Sequence, residues 1–238
     1  MTIKTASLCD TGGRPINDDT VRIRQDGGRL CVYVGDGLGG YAGGKLAYEA
    51  AGEALMALGA EGSLLGDAQM LAAAAQAEQA VRRTQQERQG VMKTTLVFLT
   101  LEDGQARWMH VGDSRLYHFR SGKLQTQTMD HSVSQMAVLM GEITPREIRF
   151  HEDRNRVLRA LGGDNAKPEL SHTVMLTGGE DVFLLCTDGF WEYVYEEEME
   201  ALLKKCASPK KWLAEMEKLV HSRAPSDNDN FTAAAVFC

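Results

Sequence analysis

The chain has 238 residues, 43% of them apolar, and a formal net charge of −7, which allows a sizeable core in one large domain or two small ones. The acidic balance argues against nucleic-acid binding, because a phosphate backbone calls for a basic face. No apolar stretch approaches membrane-spanning length, no basic segment leads into an apolar run at the N-terminus, and the five cysteines have no CxxC or regular spacing. These features predict a cytoplasmic protein without membrane partners, with Cys31 and Cys186 as buried free thiols in a reducing compartment.

Strands are predicted over Thr2–Leu8, Thr20–Arg24 and Leu30–Val34, separated by glycine-rich turns. Lys45–Leu58 reads as a helix with Leu46, Ala50, Ala54 and Leu58 on one face, and Asp67–Arg88 as a second helix entered through Gly66-Asp67. A block of strands follows at Thr94–Leu101, Ala106–Val111, Arg115–Phe119 and Leu124–Thr128, with hairpin turns at Gly104 and Ser121-Gly122. Residues 131–168 break this rhythm with a short helix, a stop at Gly141, Thr144-Pro145, and a basic stretch carrying Arg146, Arg149, Arg154, Arg156 and Arg159. Strands resume at Glu169–Leu176 and Val182–Cys186, helices are predicted over Glu196–Lys205 and Pro209–His221, and a last strand runs to Cys238. This succession predicts an α+β fold of two packed sheets with a helical pair outside each.

Four short acidic motifs lie where strands begin or end: Asn17-Asp18-Asp19, Asp36-Gly37-Leu38-Gly39-Gly40, Asp188-Gly189 and Asp229-Asn230. Carboxylates converging from strand ends repel one another unless cations neutralise them. With no His or Cys in metal-binding spacing beside them, the hard oxygen set points to Mg²⁺ or Mn²⁺ rather than zinc. A pair of such ions is the usual apparatus for activating water against a phosphate ester. Asp36 is the foremost candidate, since a strand-end carboxylate can bridge two cations and Gly37 lets its carbonyl approach one. The loop Ser226-Asp227-Asn228-Asp229-Asn230 invites an EF-hand reading, which fails because Phe231 and Thr232 stand where an oxygen ligand and Gly belong. On its residues alone, Gly112-Asp113-Ser114-Arg115 reads as a type I′ hairpin turn, and His131, after Asp130 at a helix start, as structural.

Taken in order, Arg14-Pro15-Ile16-Asn17-Asp18-Asp19, Val34-Gly35-Asp36-Gly37-Leu38-Gly39-Gly40, Thr94-Thr95-Leu96, Gly112-Asp113-Ser114-Arg115, Asp130-His131-Ser132, Thr187-Asp188-Gly189 and Asp229-Asn230-Phe231-Thr232 span nearly the whole chain. This series resembles the metal-dependent Ser/Thr protein phosphatases of the PPM (protein phosphatase 2C-like) family, in their compact bacterial form. The resemblance implies a single domain over 1–238, a four-layer α-β-β-α sandwich of mainly antiparallel sheets, and hydrolysis of phosphoserine and phosphothreonine in proteins by a metal-activated water. It implies that Asp36, the Gly37 carbonyl, Asp188 and Asp229 hold two Mn²⁺ or Mg²⁺ ions, and that Asp113 helps to hold a third, weaker one. Asp229 is preferred over Asp227 because Asn230 and Thr232 put the family's DNxT pattern in that register.

By the same resemblance, Asp18 touches the site, Asp19 supports its water shell, and Arg14 clamps phosphate through its planar fork. The chain departs from the family twice. Asp18 stands where Glu is usual, and Leu38 stands where many eukaryotic members have a His taken as general acid, so no side chain is nominated for that role. The implied partners are phosphorylated proteins and a cognate bacterial Ser/Thr kinase, with the protein a monomer. Segment 131–168 corresponds to the family's variable flap. Its arginines either form a docking surface for phosphoproteins or pair internally with Glu142, Glu147, Glu152 and Asp153. Two alternatives share the fold: a non-catalytic regulatory binding module, and a phosphatase acting on an anti-sigma-factor antagonist.

Overall fold

The computed structural model describes residues 2–38 and 43–238; Gly39 and Gly40 of the glycine-rich run lie outside the described residues. Its strands are β1 (Lys4–Asp10), β2 (Asp19–Asp26), β3 (Arg29–Leu38), β4 (Lys93–Thr94), β5 (Leu96–Glu102), β6 (Gln105–Val111), β7 (Arg115–Arg120), β8 (Lys123–Gln127), β9 (Glu169–Leu170), β10 (Val174–Met175), β11 (Asp181–Cys186) and β12 (Phe231–Phe237). Its helices are α1 (Gly43–Glu61), α2 (Asp67–Arg88), α3 (Val133–Leu139), α4 (Asp188–Trp191), α5 (Glu196–Leu203) and α6 (Pro209–Arg223), with a 3₁₀ segment at Pro145–Phe150. One antiparallel sheet has the order β1-β12-β11-β7-β8. The other has the order β10-β6-β5-β3-β2, with β4 on β3 and β9 on β6.

The two-residue period of a strand decides what each layer contains. In β3, Leu30, Val32 and Val34 face the other sheet, while Cys31 and Tyr33 face α1 and α2. In β11, Phe183 and Leu185 pack between the sheets, and Val182, Leu184 and Cys186 pack on the side of α5 and α6. Helices cover both outer faces, so these strands are apolar on both sides and read as unbroken hydrophobic runs. The result is the predicted four-layer sandwich.

Several boundaries differ from the sequence reading, each for a local reason. The buried stripe of α1 is Ala47, Ala51 and Leu55, one residue on from the predicted face; Leu46 and Leu58 sit only partly buried at its margin. Small residues let this helix lie close to the sheet: a Cβ on Gly59 would come within 2.6 Å of Cys31 Sγ. The run Glu169–Leu176 is two short strands, because the Ser171 hydroxyl accepts the Trp108 N–H (2.9 Å) in place of a backbone carbonyl. The turns at Asp103-Gly104 and Ser121-Gly122 have positive φ at both residues, as the type I′ hairpin turn requires. Gly112-Asp113-Ser114 is not a hairpin turn. It carries the chain from β6 in one sheet to β7 in the other.

That crossover is held from beneath. Arg115 donates two hydrogen bonds to the Asp130 carboxylate (2.8 and 2.7 Å), and both side chains are 1% exposed. The guanidinium stacks 3.5 Å from the Trp191 ring centroid, and the Trp191 indole N–H donates to the Asp113 carbonyl (3.0 Å). Removing one member strands a buried charge, which typically costs about 3–5 kcal/mol. Asp130→Asn is therefore expected to lower the urea-unfolding free energy by about that amount, and the Arg115→Met/Asp130→Leu double variant by much less. Equal losses in the two proteins would show that the pair is not what braces this crossover.

Candidate metal centre

The ends of β2, β3, β11 and β12 and the β6–β7 crossover meet at one end of the sandwich. Asp19 at the start of β2 is the cross-strand partner of Asp36 near the end of β3. Asp188 opens α4 directly after β11, and Asp229 precedes β12. Asp18, Asp36, Asp113, Asp188 and Asp229 line one cavity of about 380 Å³, together with Arg14, Gly37, Leu38 and Asn230. The structure thus brings together every sequence-predicted residue except Asp19, which is 5% exposed and lies beneath the cavity rather than on its wall.

Hydrogen bonds from ordinary polar side chains fix these carboxylates. The Thr95 hydroxyl accepts the Asp36 N–H (2.8 Å) and lies 2.7 Å from Ser114 Oγ, tying β3 to the crossover that bears Asp113. The Thr187 hydroxyl donates to Asp19 (2.7 Å) and accepts the Thr232 N–H (2.9 Å), joining β2, β11 and β12. Asn230 is 5% exposed and spends its whole amide: Oδ1 accepts the Asp18 N–H (2.8 Å), and Nδ2 donates to Thr11 O and Ile16 O (2.8 and 3.0 Å). It ties the loop carrying Arg14 to Asp18. Gly37 has a packing reason to be glycine, since a Cβ there would sit 2.5 Å from the Gly44 backbone at the start of α1. Sequence reasoning placed Thr95, Thr187 and Asn230 in motifs but gave them no task. It missed Glu192, one helical turn after Asp188, which pairs with Arg154 (2.9 Å); that i, i+4 spacing was the available signal.

The electrostatics are those of a site short of positive charge. Burial, and then the charges of Asp188, Asp19, Asp113 and Asp229, push the Asp36 carboxyl well above the ordinary range. Asp188 is raised likewise by burial and by Asp113 and Glu192. Asp19 and Asp113 are each pushed up to about 7, chiefly by burial. Asp18 Oδ1 and Asp113 Oδ1 are buried without a hydrogen-bond partner. The cation at the rim is Arg14, whose fork meets both Asp229 oxygens at 3.3 Å. An all-oxygen donor set with orphaned buried oxygens fits hard divalent cations such as Mg²⁺ or Mn²⁺.

The same charges set a pH dependence. A carboxylate whose pKa is raised by folding contributes stability that is complete below its unfolded value and is lost as pH climbs through the folded one. For Asp19 and Asp113 that loss runs up to about pH 7, and Asp36 and Asp188, raised in the same direction, add to it. The buried His110, His118 and His131, whose pKa values are lowered by burial, act in the opposite sense only below about pH 6.5. Metal-free protein should therefore lose thermal stability as pH rises above about 6.5. Asp36→Asn should flatten that fall and raise the metal-free Tm at pH 8 by roughly 3–8 °C. A lower metal-free Tm in the variant would contradict the repulsion.

The family model for protein phosphatase 2C matches residues 9–224. Serine/threonine protein phosphatase PstP of Mycobacterium tuberculosis is 32% identical over 207 residues, a stretch that covers 85% of this chain but only 39% of the relative's length. Serine/threonine phosphatase Stp of Listeria monocytogenes is 32% identical over 242 residues, covering 95% of this chain and 88% of the relative. The crystal structure of the PstP catalytic domain in complex with two manganese ions superposes with a TM-score of 0.83 at 29% identity, over 99% of this chain and 97% of that one. The carboxylate cavity, the four-layer sandwich and these likenesses agree, and the chain belongs to the protein phosphatase 2C family.

Proposed function

We propose that residues 1–238 act as one phosphatase domain that hydrolyses phosphoserine and phosphothreonine in proteins. The observation that carries this reading is the cavity of converging carboxylates, two of them with buried unpartnered oxygens, beside a half-exposed arginine fork. Asp36, the Gly37 carbonyl, Asp188 and Asp229 would hold two Mn²⁺ or Mg²⁺ ions, with Asp18 at their edge and Asp113 holding a third, weaker one. When bound, such cations supply a nucleophilic water at neutral pH and neutralise charge on the phosphoryl oxygens.

The chain's own residues do the rest. Arg14 orients the phosphoryl group. Its present bonds to Asp229 are 3.3 Å, longer than the 2.7–2.9 Å usual for charge-assisted pairs, and the pair is half exposed, so a phosphate can displace it at little cost. Asp19, held by Thr187 and paired with Asp36 across β2 and β3, fixes the neighbouring Asp18, whose carbonyl accepts the Gly37 N–H (2.7 Å). Leu38 presents an apolar wall and offers no proton to the leaving alkoxide.

We further propose that the protein works in the cytoplasm as a monomer opposite a cognate Ser/Thr kinase. Five free cysteines suit a reducing compartment, and no described helix is long and apolar enough to cross a membrane. Segment 131–168 is read as the flap that meets the protein substrate, but its arginines are not equivalent. Arg149 is 5% exposed and is spent on the Trp191 and Val194 carbonyls and on Glu196 (2.7 Å), so it belongs to the interior rather than to a docking surface. Arg154 is paired with Glu192. Of the internal partners expected from sequence, only Asp153 is used, by Arg156 (3.0 Å). Arg146 and Arg156 are the exposed members, and their surface pairs with Glu197 and Asp153 hold them weakly.

Hydrolysis of p-nitrophenyl phosphate tests the central reading. Chelation should abolish it and Mn²⁺ or Mg²⁺ restore it. Asp188→Asn should cost more than the roughly 10–100-fold typical of residues that only orient ligands. Arg14→Ala should raise KM more than it lowers kcat, with partial rescue by Arg14→Lys. Full activity in excess chelator would refute the proposal. The flap is tested separately with the Arg146→Ala/Arg156→Ala variant, which should lose phosphoprotein turnover while retaining hydrolysis of the small ester. Equal turnover of a phosphoprotein by variant and wild type would remove these arginines from substrate docking.

A further inference from the structure

Among the described residues, two groups outside the carboxylate cavity gather histidine and carboxylate donors within 4.8 Å of one another: His110–His131–Glu169 and Asp10–Glu217–His221. The first does not suit a metal. His131 Nδ1 accepts the Gly112 N–H (3.1 Å), and the Arg159 guanidinium, which can only donate, lies 3.1 Å from Nε2. A cation on Nε2 would have to displace that donor and sit beside its fixed positive charge.

The second group carries no such conflict. We propose that Asp10, Glu217 and His221 form a further cation site, of mixed oxygen and nitrogen donors, that takes Zn²⁺ or a similar late first-row ion in preference to Mg²⁺ or Mn²⁺. The fold assembles it from two elements. Ala6 and Leu8 of β1 pack into the layer beneath α6, and Asp10 continues that alternate face to the strand's end. Glu217 and His221 stand one turn apart on α6, so their side chains share a face. The His221 ring meets Phe231 edge to face (5.4 Å between centroids, 82°), and Phe231 is the cross-strand partner of Asp10. The imidazole is therefore held over the strand pair at the position of Asp10.

The donors are also available. Asp10 Oδ1 accepts the Gly12 N–H (2.8 Å), which orients the carboxylate and leaves Oδ2 for an ion. The lysine next to Glu217, Lys218, is committed to Glu215 at 2.8 Å. Asp10 and Glu217 are half-buried and His221 is exposed, so an ion can enter from solvent and keep water in its remaining position. One imidazole with two carboxylates suits Zn²⁺ better than Mg²⁺, which prefers oxygen in near-ideal octahedra and keeps its waters. None of the three residues lines the carboxylate cavity. Asp10 nevertheless roots the loop that carries Arg14, so an ion here would tie α6 to that loop.

The test uses the whole chain in excess Mg²⁺, which occupies the oxygen-only cavity without paramagnetic broadening. Zn²⁺ is titrated while the side-chain ¹⁵N resonances of the six histidines are followed. The His221 resonances should move and saturate near one equivalent of Zn²⁺. His221→Ala and Glu217→Gln should each weaken that binding, measured by competition with a Zn²⁺-sensitive dye, at least about tenfold. The proposal is overturned if the His221 resonances stay put through several equivalents of Zn²⁺, or if wild type and both variants bind it equally.

Discussion

Repulsion among carboxylates held at one end of the sandwich is the constraint on which the rest of the structure depends. Asp36 and Asp188 have pKa values far above the ordinary carboxylate range, because burial and like charges both oppose ionisation there. A flexible loop would relax by swinging such groups into water. Here β2 and β3 lock Asp19 opposite Asp36, and Thr187 and Asn230 tie Asp19 and Asp18 to β11 and β12, so the groups cannot separate. The frame stores unfavourable charge in a fixed geometry, which is the condition for selecting cations by charge and hardness.

Around that frame the arrangement of positive charge is economical. Arg115 lies under the crossover with its charge answered by Asp130, and Arg149 under α4 and α5 with Glu196. Both stack on Trp191, which in turn fixes the Asp113 carbonyl. Arg154 answers Glu192 at the edge of the site. Buried arginines thus support the walls, while Arg14, half exposed and loosely forked on Asp229, is the one placed to exchange partners. In an acidic protein this division would let a site proposed to attract cations still receive the phosphorylated substrate proposed for it.

Much of this was legible in the sequence, and the illegible parts have physical reasons. Runs such as Leu30–Val34 and Val182–Cys186 announce strands covered on both faces, and the aspartates at their ends announce the site. The crossover at Gly112-Asp113-Ser114 was not visible, because a turn dipeptide carries no record of which sheet the next strand joins. The true face of α1 was hidden by its small residues, since Ala47 and Ala51 gain burial from a close approach to β3 that hydrophobicity alone does not reveal. The flap arginines misled for a related reason. Their partners Glu192, Glu196 and Glu197 lie 38 to 51 residues away in sequence, so local pairing offered only Asp153.

Relief of the cavity's repulsion by divalent cations can be followed by calorimetric titration of Mn²⁺ at pH 7 in two buffers of different ionisation enthalpy. Carboxylates that still hold protons must release them when a cation binds. Two strongly bound Mn²⁺ ions per chain with net proton release are expected, and fewer ions with less release in Asp188→Asn. Binding without proton release, or with the same stoichiometry and release in the variant, would contradict it.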